Sequence, residues 1–162
     1  MTVRDLNSAL QAPEYPQRFK DIQPFIFEWE VVTNRAGKIL IEDDPSDPGG
    51  ATFCGLDKRS HPNLNFRTMS AEDVCSTYLE KYWNRFDCEH YPFPLGEAFY
   101  NCAVNCGSGR ADKIIKTSKS AAQFIACQAE FYQALTRARP SLHKFLAGWE
   151  NRLNALREHL HI

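Results

Sequence analysis

The C-terminal part of the sequence carries two apolar stripes that have the period of an α-helix. One helical turn takes ~3.6 residues, so apolar residues spaced three or four apart lie on one face. Pro140 separates the two stripes and, as a proline, cannot continue a helix. The sequence therefore predicts two antiparallel helices joined at Pro140, and with them a mainly α fold. The stripe residues are Ala121, Ile125, Ala129, Tyr132 and Leu135, then Leu142, Phe145, Leu146, Trp149, Leu153, Leu156 and Leu160.

Helical patterns also occur earlier in the chain. The sequence predicts a short helix over 3–11, an amphipathic helix over 17–33 and a buried helix over 95–104. Pro24 lies inside the second of these and predicts either a kink or a late start. Ser70 and Asp73 have the spacing of a capping box, so another helix should start near residue 71.

Residues 34–62 form a long stretch without helical period. They contain the turn signals Asp-Pro and Pro-Gly-Gly, which favour irregular backbone. The segments 38–41 and 51–56 are the strand candidates. We therefore expect a small β-hairpin or loop element near residues 38–56 within a helical domain.

Length and charge limit the class of protein. A chain of 162 residues is close to the ~150 residues of an ordinary domain, so we expect one compact unit over 1–162. The sequence has 19 Lys and Arg against 20 Asp and Glu, whereas nucleic-acid-binding domains are usually strongly basic. We expect no nucleic-acid partner.

No apolar run in the sequence reaches the ~18 residues that a transmembrane helix needs. The N-terminus also lacks the apolar segment of a signal peptide, which predicts synthesis in the cytoplasm.

The six cysteines and five histidines do not follow a metal-ligand pattern. Cys102 and Cys106 share a helix face, and Cys88 lies near His90, but neither spacing is that of a zinc ribbon or finger. Six cysteines in a chain of this length are also too few for a disulfide-dense scaffold. We therefore expect free thiols, no metal and no organic cofactor.

The residues most typical of a chemical site lie around the end of the 17–33 helix. Glu30 follows an apolar run that includes Trp29, and an acidic, glycine-rich segment with Asp44, Asp47 and Thr52 comes after it. A glycosidase needs one carboxylic acid to protonate the leaving oxygen and a second, ionised carboxylate to activate water or stabilise the transition state. An apolar helix end raises the pKa of a carboxyl group by removing water, whereas a solvated loop does not. The same spacing is also compatible with a capped helix end and a structural turn.

This segment resembles the signature of glycoside hydrolase family 108, a lysozyme-like family of bacteriophage and bacterial N-acetylmuramidases. The family signature places a catalytic Glu on a helix, followed by Asp-Pro-Gly-Gly-x-Thr-x-x-Gly-Ile. Trp29-Glu30 stands at the catalytic position, and the second half is matched by Asp47-Pro-Gly-Gly-Ala-Thr-Phe-Cys-Gly55-Leu56. Val31-Val32 replace the two glycines that follow the family's Glu. Similar segments at 68–83, 99–111 and 145–153 extend the resemblance over roughly residues 20–158.

The resemblance implies a lysozyme-like catalytic part over 17–94 and a C-terminal, helical part over 95–160 that is similar to peptidoglycan-binding segments. The implied reaction is hydrolysis of the β-1,4 bond between N-acetylmuramic acid and N-acetylglucosamine, as in a phage endolysin. Glu30 would be the general acid. Asp47 or Asp44 would be the second carboxylate, and Thr52 would position the attacking water.

Five residues are candidates for binding the sugar chain. Gly49 and Gly50 lack side chains, so their backbone can approach a sugar ring closely. Tyr82 and Trp83 have rings that can stack on a sugar, although such aromatic residues are also typical of a core. Asn105, in the segment 99–111, completes the set.

The resemblance implies bacterial peptidoglycan as the partner and action at the cell wall or in the periplasm. We expect a monomer without a stable protein partner. The alternative from another class is a non-catalytic peptidoglycan-binding or phage structural protein that keeps the fold. A more remote alternative is a regulator that binds a protein partner. Release of reducing ends from purified peptidoglycan distinguishes the enzyme from both.

Overall fold

The computed structural model describes residues 1–43 and 50–162. Within them the chain is mainly helical, with seven α-helices and one small antiparallel sheet, which confirms the predicted fold class. The chain divides into two compact units, Met1–Lys81 and Tyr82–Ile162. The expected functional division into 17–94 and 95–160 stays a prediction. None of the helices in the described part is long and apolar enough to cross a membrane.

The first unit contains three helices and the sheet. The helices are α1 (Val3–Ala9), α2 (Gln17–Glu30) and α3 (Ala71–Tyr78), and the strands are β1 (Ile41–Glu42), β2 (Thr52–Phe53) and β3 (Leu56–Asp57). Ser70 caps α3 by accepting a hydrogen bond from the backbone N–H of Asp73, whose side chain bonds back to the Ser70 backbone. This confirms the predicted capping box.

Pro24 lies inside α2, which nevertheless begins at Gln17, so the predicted late start of this helix is wrong. The burial of Phe25, Ile26 and Phe27 against the core holds the helix in place beyond the proline.

The sheet has the order β1-β2-β3, with antiparallel pairing throughout. Thr52 lies opposite both Glu42 and Asp57, and Phe53 lies opposite Leu56. Instead of one strand over 51–56, the structure has two strands joined by a two-residue turn at Cys54 and Gly55. Both turn residues have positive φ, 52° and 77°, which is the geometry of a tight hairpin. Glycine adopts this backbone without steric cost, so Gly55 permits the reversal.

The second unit is built from helices. A π-helical segment (Leu79–Asn84) spans the division between the units, and a 3-10 turn (Cys88–His90) follows it. The α-helices of the second unit are α4 (Leu95–Cys106), α5 (Ser108–Ile115), α6 (Ala121–Ala138) and α7 (His143–Leu160). A 3-10 turn (Pro140–Leu142) connects α6 to α7. Gly107, at φ 81°, separates α4 from α5.

The pairing of α6 with α7 is antiparallel, as predicted. Across the connection at Pro140, the Tyr132 and Trp149 rings stack with centroids 5.0 Å apart. In addition, the side-chain amide of Gln133 donates a hydrogen bond to Glu150 at 3.4 Å. Residues on either side of Pro140 therefore face one another, and one residue of each apolar stripe, Tyr132 and Trp149, makes contact across the pair of helices.

Candidate active site

Glu30 is the last residue of α2 and is partly exposed. The helix ends there because Val31 has extended backbone, although its N–H still donates to the Phe27 carbonyl at 3.0 Å. Glu28 is exposed and lies two positions earlier, so it points to a different side of the helix. Of these two carboxylates, only Glu30 therefore occupies the helix side that faces the hairpin turn described below.

The chain after Glu30 folds back as a second, irregular hairpin. The Leu40 N–H donates to the Val32 carbonyl at 2.9 Å, and Thr33 pairs with Ile39 in an antiparallel bridge. The reversal is made by Asn34, whose side-chain oxygen accepts from the N–H groups of residues 36 and 38. This hairpin leads directly into β1, so the small sheet begins beside the helix end that carries Glu30.

The turn between β2 and β3 lies directly against Glu30. A Cβ atom placed on Gly55 would be 2.6 Å from the Glu30 Cβ, 3.0 Å from its Oε2 and 2.7 Å from the Tyr78 hydroxyl. Real Cβ atoms essentially never approach other atoms closer than 3.0 Å. Only glycine therefore fits at this position, and the backbone of the turn forms one wall around the Glu30 carboxylate.

Tyr78 supports the same turn from α3. Its hydroxyl donates a hydrogen bond to the Cys54 carbonyl at 2.7 Å, and its ring is completely buried. The ring also packs edge-on against Phe27 of α2, with centroids 5.9 Å apart and an interplanar angle of 82°. Tyr78 thus ties α2, α3 and the hairpin together.

Gly55 and Tyr78 are site residues that sequence reasoning missed. A two-residue segment ending in glycine between apolar residues is a hairpin signal, and it could have located the turn. It could not have shown which helix the turn packs against.

Cys54 adjoins the site but is not equipped to act as a nucleophile. Burial, with a smaller contribution from Cys75, raises the pKa of the Cys54 thiol to about 12. A thiol with that pKa stays protonated at neutral pH, and the thiolate is the reactive form. The chemistry available beside Glu30 is therefore that of carboxyl and hydroxyl groups.

Thr52 lies in the middle strand of the sheet, three residues before Gly55. Side chains directly opposite in antiparallel strands share a face, so Thr52 shares its face with Glu42 and Asp57. Phe53 projects to the other face, where it is buried and its ring lies 6.0 Å from that of Phe66. The hydroxyl predicted to position water thus belongs to the polar face of the sheet.

Asp57 is a further carboxylate on this face that sequence reasoning did not single out. Burial acts to raise the pKa of Asp57, but hydrogen bonds from Ser60, including its backbone N–H at 2.8 Å, outweigh it, so the pKa is lowered. Asp57, the last residue of β3, is therefore held ionised, and its hydrogen bond from Ser60 stabilises the turn that follows the strand.

The predicted residues of the acidic, glycine-rich segment can be located only in part. Asp44, Asp47 and Gly49 lie outside the described residues. Gly50 has φ 71°, and a Cβ placed on it would meet only the Lys58 Cβ, at 3.7 Å. Glycine at 50 is therefore favoured by its backbone conformation and not by a crowded neighbour.

The other three predicted substrate-binding residues belong to the second unit. Trp83 is completely buried, its N–H donates to Glu89 at 3.1 Å, and its ring packs edge-on against Tyr100. Its ring faces are therefore covered in this structure. Tyr82 and Asn105 are partly exposed, and the Asn105 side-chain oxygen accepts a hydrogen bond from the Tyr132 hydroxyl at 2.5 Å. In residues 1–43 and 50–162, no group of three or more His, Cys, Asp or Glu side chains is placed to hold a metal ion.

Comparison with known proteins identifies one family. The model of the family described as "Glycosyl hydrolase 108" matches residues 26–107, just over half of the chain. The match begins inside α2, four residues before Glu30, and includes the sheet, Gly55 and Tyr78. No curated protein and no solved structure matches the chain.

Proposed function

Because the chain belongs to the glycosyl hydrolase 108 family, we propose that it is a peptidoglycan hydrolase that acts as an N-acetylmuramidase. It would cleave the β-1,4 bond between N-acetylmuramic acid and N-acetylglucosamine, with Glu30 as the general acid. Membership of the family makes the protein a glycoside hydrolase with a lysozyme-like, mainly α fold. The observation that supports the role of Glu30 is its position at the end of α2, enclosed by the Gly55 backbone yet partly open to solvent.

Glu30 has the placement that a proton donor needs. Its side chain is confined on one side by the Gly55 turn, which Tyr78 holds by a hydrogen bond to the Cys54 carbonyl. Its partial exposure leaves a path for a glycosidic oxygen to reach it. In the proposed reaction Glu30 transfers its proton to that oxygen as the bond to the sugar breaks, and an oxocarbenium-like transition state develops.

The second carboxylate is proposed to be Asp44 or Asp47. It would remain ionised and either activate water or stabilise the positive charge on the sugar ring. Thr52 would orient the water from the polar face of the sheet. Gly49, Gly50, Tyr82, Trp83 and Asn105 remain proposals for substrate binding, and we propose that the protein acts as a monomer at the cell wall or in the periplasm.

Glu30→Gln tests the proposal, with Glu28→Gln as the matched control on the same helix. Glutamine keeps the size of the side chain but cannot supply an acidic proton. Glu30→Gln should fold, bind purified peptidoglycan and release new reducing ends at least ~100-fold more slowly than the wild type. Glu28→Gln should retain the wild-type rate because its side chain points to another side of α2.

The products identify the bond. Borohydride reduction of the wild-type products should convert muramic acid, not glucosamine, at the new ends. Reduced glucosamine would assign the enzyme to the other bond of the glycan. Full activity in Glu30→Gln would contradict the assignment of the acid, and a wild-type protein that binds the wall without releasing reducing ends would support the non-catalytic alternative.

Comparison of Asp44→Ala with Asp47→Ala tests the second carboxylate. One of the two should lose at least ~100-fold in rate while keeping its affinity for peptidoglycan, because removing an ionised carboxylate removes transition-state stabilisation and not ground-state binding. The other should retain most of its activity. Near wild-type rates in both variants would show that the second carboxylate lies elsewhere.

A further inference from the structure

A cluster of polar groups surrounds the sulfur of Cys106 at the C-terminal end of α4. The Tyr132 hydroxyl of α6 lies 3.1 Å from the sulfur, and the Gln128 side-chain nitrogen lies 3.5 Å from it. Cys102 lies one helical turn earlier on α4. Cys106 is partly exposed, whereas Cys102 and Gln128 are completely buried.

Gln128 is oriented so that both of its N–H groups serve this cluster. One contact is with the Tyr132 hydroxyl at 2.8 Å and the other is with the Cys106 sulfur. Among the described residues its side-chain oxygen has no hydrogen-bond partner, although it is buried. Leaving a buried acceptor unsatisfied is unfavourable. In this orientation Gln128 accepts that cost at its oxygen, and its nitrogen donates to both Cys106 and Tyr132.

The hydrogen bonds can follow the protonation state of the sulfur. With Cys106 as a thiol, its S–H can donate to Tyr132 or to the Asn105 oxygen at 3.4 Å, while Tyr132 donates to Asn105. With Cys106 as a thiolate, the Tyr132 hydroxyl can turn its single hydrogen to the sulfur, and the Gln128 side-chain nitrogen donates as well. Two donors then converge on the negative charge.

The charges around the cluster act in the same direction. Interaction with the neighbouring Cys102 thiol lowers the pKa of Cys106 to about 7; burial opposes this, and Tyr132, Gln128 and the Arg152 guanidinium of α7 contribute to the lowering. Interaction with Cys106 and burial raise the pKa of Cys102. Burial and the neighbouring Cys106 raise that of Tyr132. Cys106 is therefore the group of the cluster that loses a proton near neutral pH.

We propose that Cys106 is a modification site that undergoes thiol–disulfide exchange with small, water-soluble disulfides. The Cys106 thiolate attacks one sulfur of the reagent, and a new S–S bond forms as the reagent's own S–S bond breaks. The other half leaves as a thiolate and takes up a proton from water. The cysteine is oxidised to a mixed disulfide, and half of the reagent is reduced to a thiol. The proposal does not rest on the glycosidase activity proposed above, although Asn105, which accepts from Tyr132, is also one of the proposed substrate-binding residues.

Cys102 acts as a positioning residue and not as a resolving thiol. Residues one turn apart on a helix have Cβ atoms about 5–6 Å apart, whereas a disulfide needs about 3.5–4.5 Å. Closing a Cys102–Cys106 bond would therefore distort the last turn of α4. The mixed disulfide at Cys106 should persist until an external thiol removes it.

The magnitude of the effect follows from the thiolate fraction. At pH 7 about half of a thiol with pKa about 7 is ionised, against about 1% of a thiol at the ordinary value of 9.0. The ionised fraction is therefore about fiftyfold larger. The intrinsic nucleophilicity of a thiolate falls as its pKa falls, with a Brønsted slope of about 0.4–0.5, so the thiolate of lower pKa is about eightfold less nucleophilic. Cys106 should therefore react about sixfold faster at pH 7 than an equally accessible thiol of ordinary pKa.

The test uses the full-length reduced protein, glutathione disulfide as the probe, and intact and peptide mass spectrometry. One glutathionyl group should appear first on Cys106, and its rate should level off above about pH 8. Cys127 is the matched reference because it is the other partly exposed thiol. Cys106→Ser should abolish the rapid adduct. An adduct that forms equally fast or faster on Cys127, or none on Cys106, would overturn the proposal.

Tyr132→Phe tests the origin of the reactivity. Loss of the hydroxyl should slow the exchange at pH 7 and move the plateau of the rate to higher pH, which a purely structural role would not do. Gln128→Met removes the second donor with similar volume and should shift the profile in the same direction. An unchanged profile in folded samples of both variants would contradict the role of the cluster, and the wild-type measurement stands even if neither variant folds.

Discussion

The close approach of Gly55 to Glu30 makes Gly55→Ala the most informative single substitution in the first unit. Alanine at φ 77° costs about 1–2 kcal/mol because left-handed backbone is unfavourable for a residue with a Cβ. The new Cβ would also lie 2.6 Å from the Glu30 Cβ and 2.7 Å from the Tyr78 hydroxyl. Crowding of this kind costs about 1–3 kcal/mol. Together these effects should lower the free energy of unfolding by about 2–5 kcal/mol.

Gly37→Ala is the matched control. Gly37 has nearly the same φ, 75°, but a Cβ placed on it meets nothing within 4 Å. Gly37→Ala therefore has the same cost of left-handed backbone and the same effect on the unfolded chain as Gly55→Ala, but the new Cβ is not crowded by neighbouring atoms. The difference between the two variants in urea unfolding should be about 1–3 kcal/mol, and it measures the packing of the turn against Glu30 and Tyr78.

Activity supplies a second, independent measurement. Relief of the crowding requires Glu30 or the turn to shift by several tenths of an ångström, and a misplacement of about 1 Å can cost about 100-fold in rate. Gly55→Ala should therefore lose most of its peptidoglycan hydrolysis under conditions in which it is still folded, whereas Gly37→Ala should keep the wild-type rate. Equal destabilisation of the two variants together with an active Gly55→Ala enzyme would refute the reasoning.

Two further predictions concern the polar face of the sheet. Thr52→Val keeps the shape of the side chain and removes the hydroxyl, so the rate of reducing-end release should fall while the urea midpoint changes little; an unchanged rate would make Thr52 structural. Asp57→Asn should lower the stability at neutral pH, because the lowered pKa of Asp57 means that its charged form stabilises the fold. That contribution is present above the ordinary pKa of 3.8 and is lost as the pH falls through the lowered pKa of Asp57, so the stabilities of the two proteins in urea unfolding should converge at acid pH, once the pH is below that lowered pKa. A difference that persists there would show that the effect is not electrostatic.

Much of the helical structure was predictable because its causes are local. The capping box of Ser70 and Asp73 depends on groups three residues apart, and the stop at Pro140 depends on the proline itself. Pro24 shows the limit of such reasoning. Its local effect predicts a kink or a late start, yet α2 begins at Gln17, seven residues before the proline, and continues to Glu30 because the apolar residues after the proline are buried.

The aromatic residues show a second limit. Tyr78 and Trp83 have the same chemistry whether they face a sugar or a core, so residue type does not distinguish the two roles. The structure buries both, and it gives each polar atom a partner: the Cys54 carbonyl for the Tyr78 hydroxyl and Glu89 for the Trp83 N–H. These contacts hold neighbouring elements in place.

By itself the sequence determined that an acidic, glycine-rich segment follows the helix that carries Glu30, and that most of the chain after residue 70 is helical. These properties depend on residue types and on spacings of a few residues, which the chain carries before it folds. Only the tertiary structure decided that the Gly55 turn packs against Glu30 and that Tyr78 holds it there. Those contacts join segments that are far apart in the chain, and their distances depend on how the helices and the sheet of the first unit pack together.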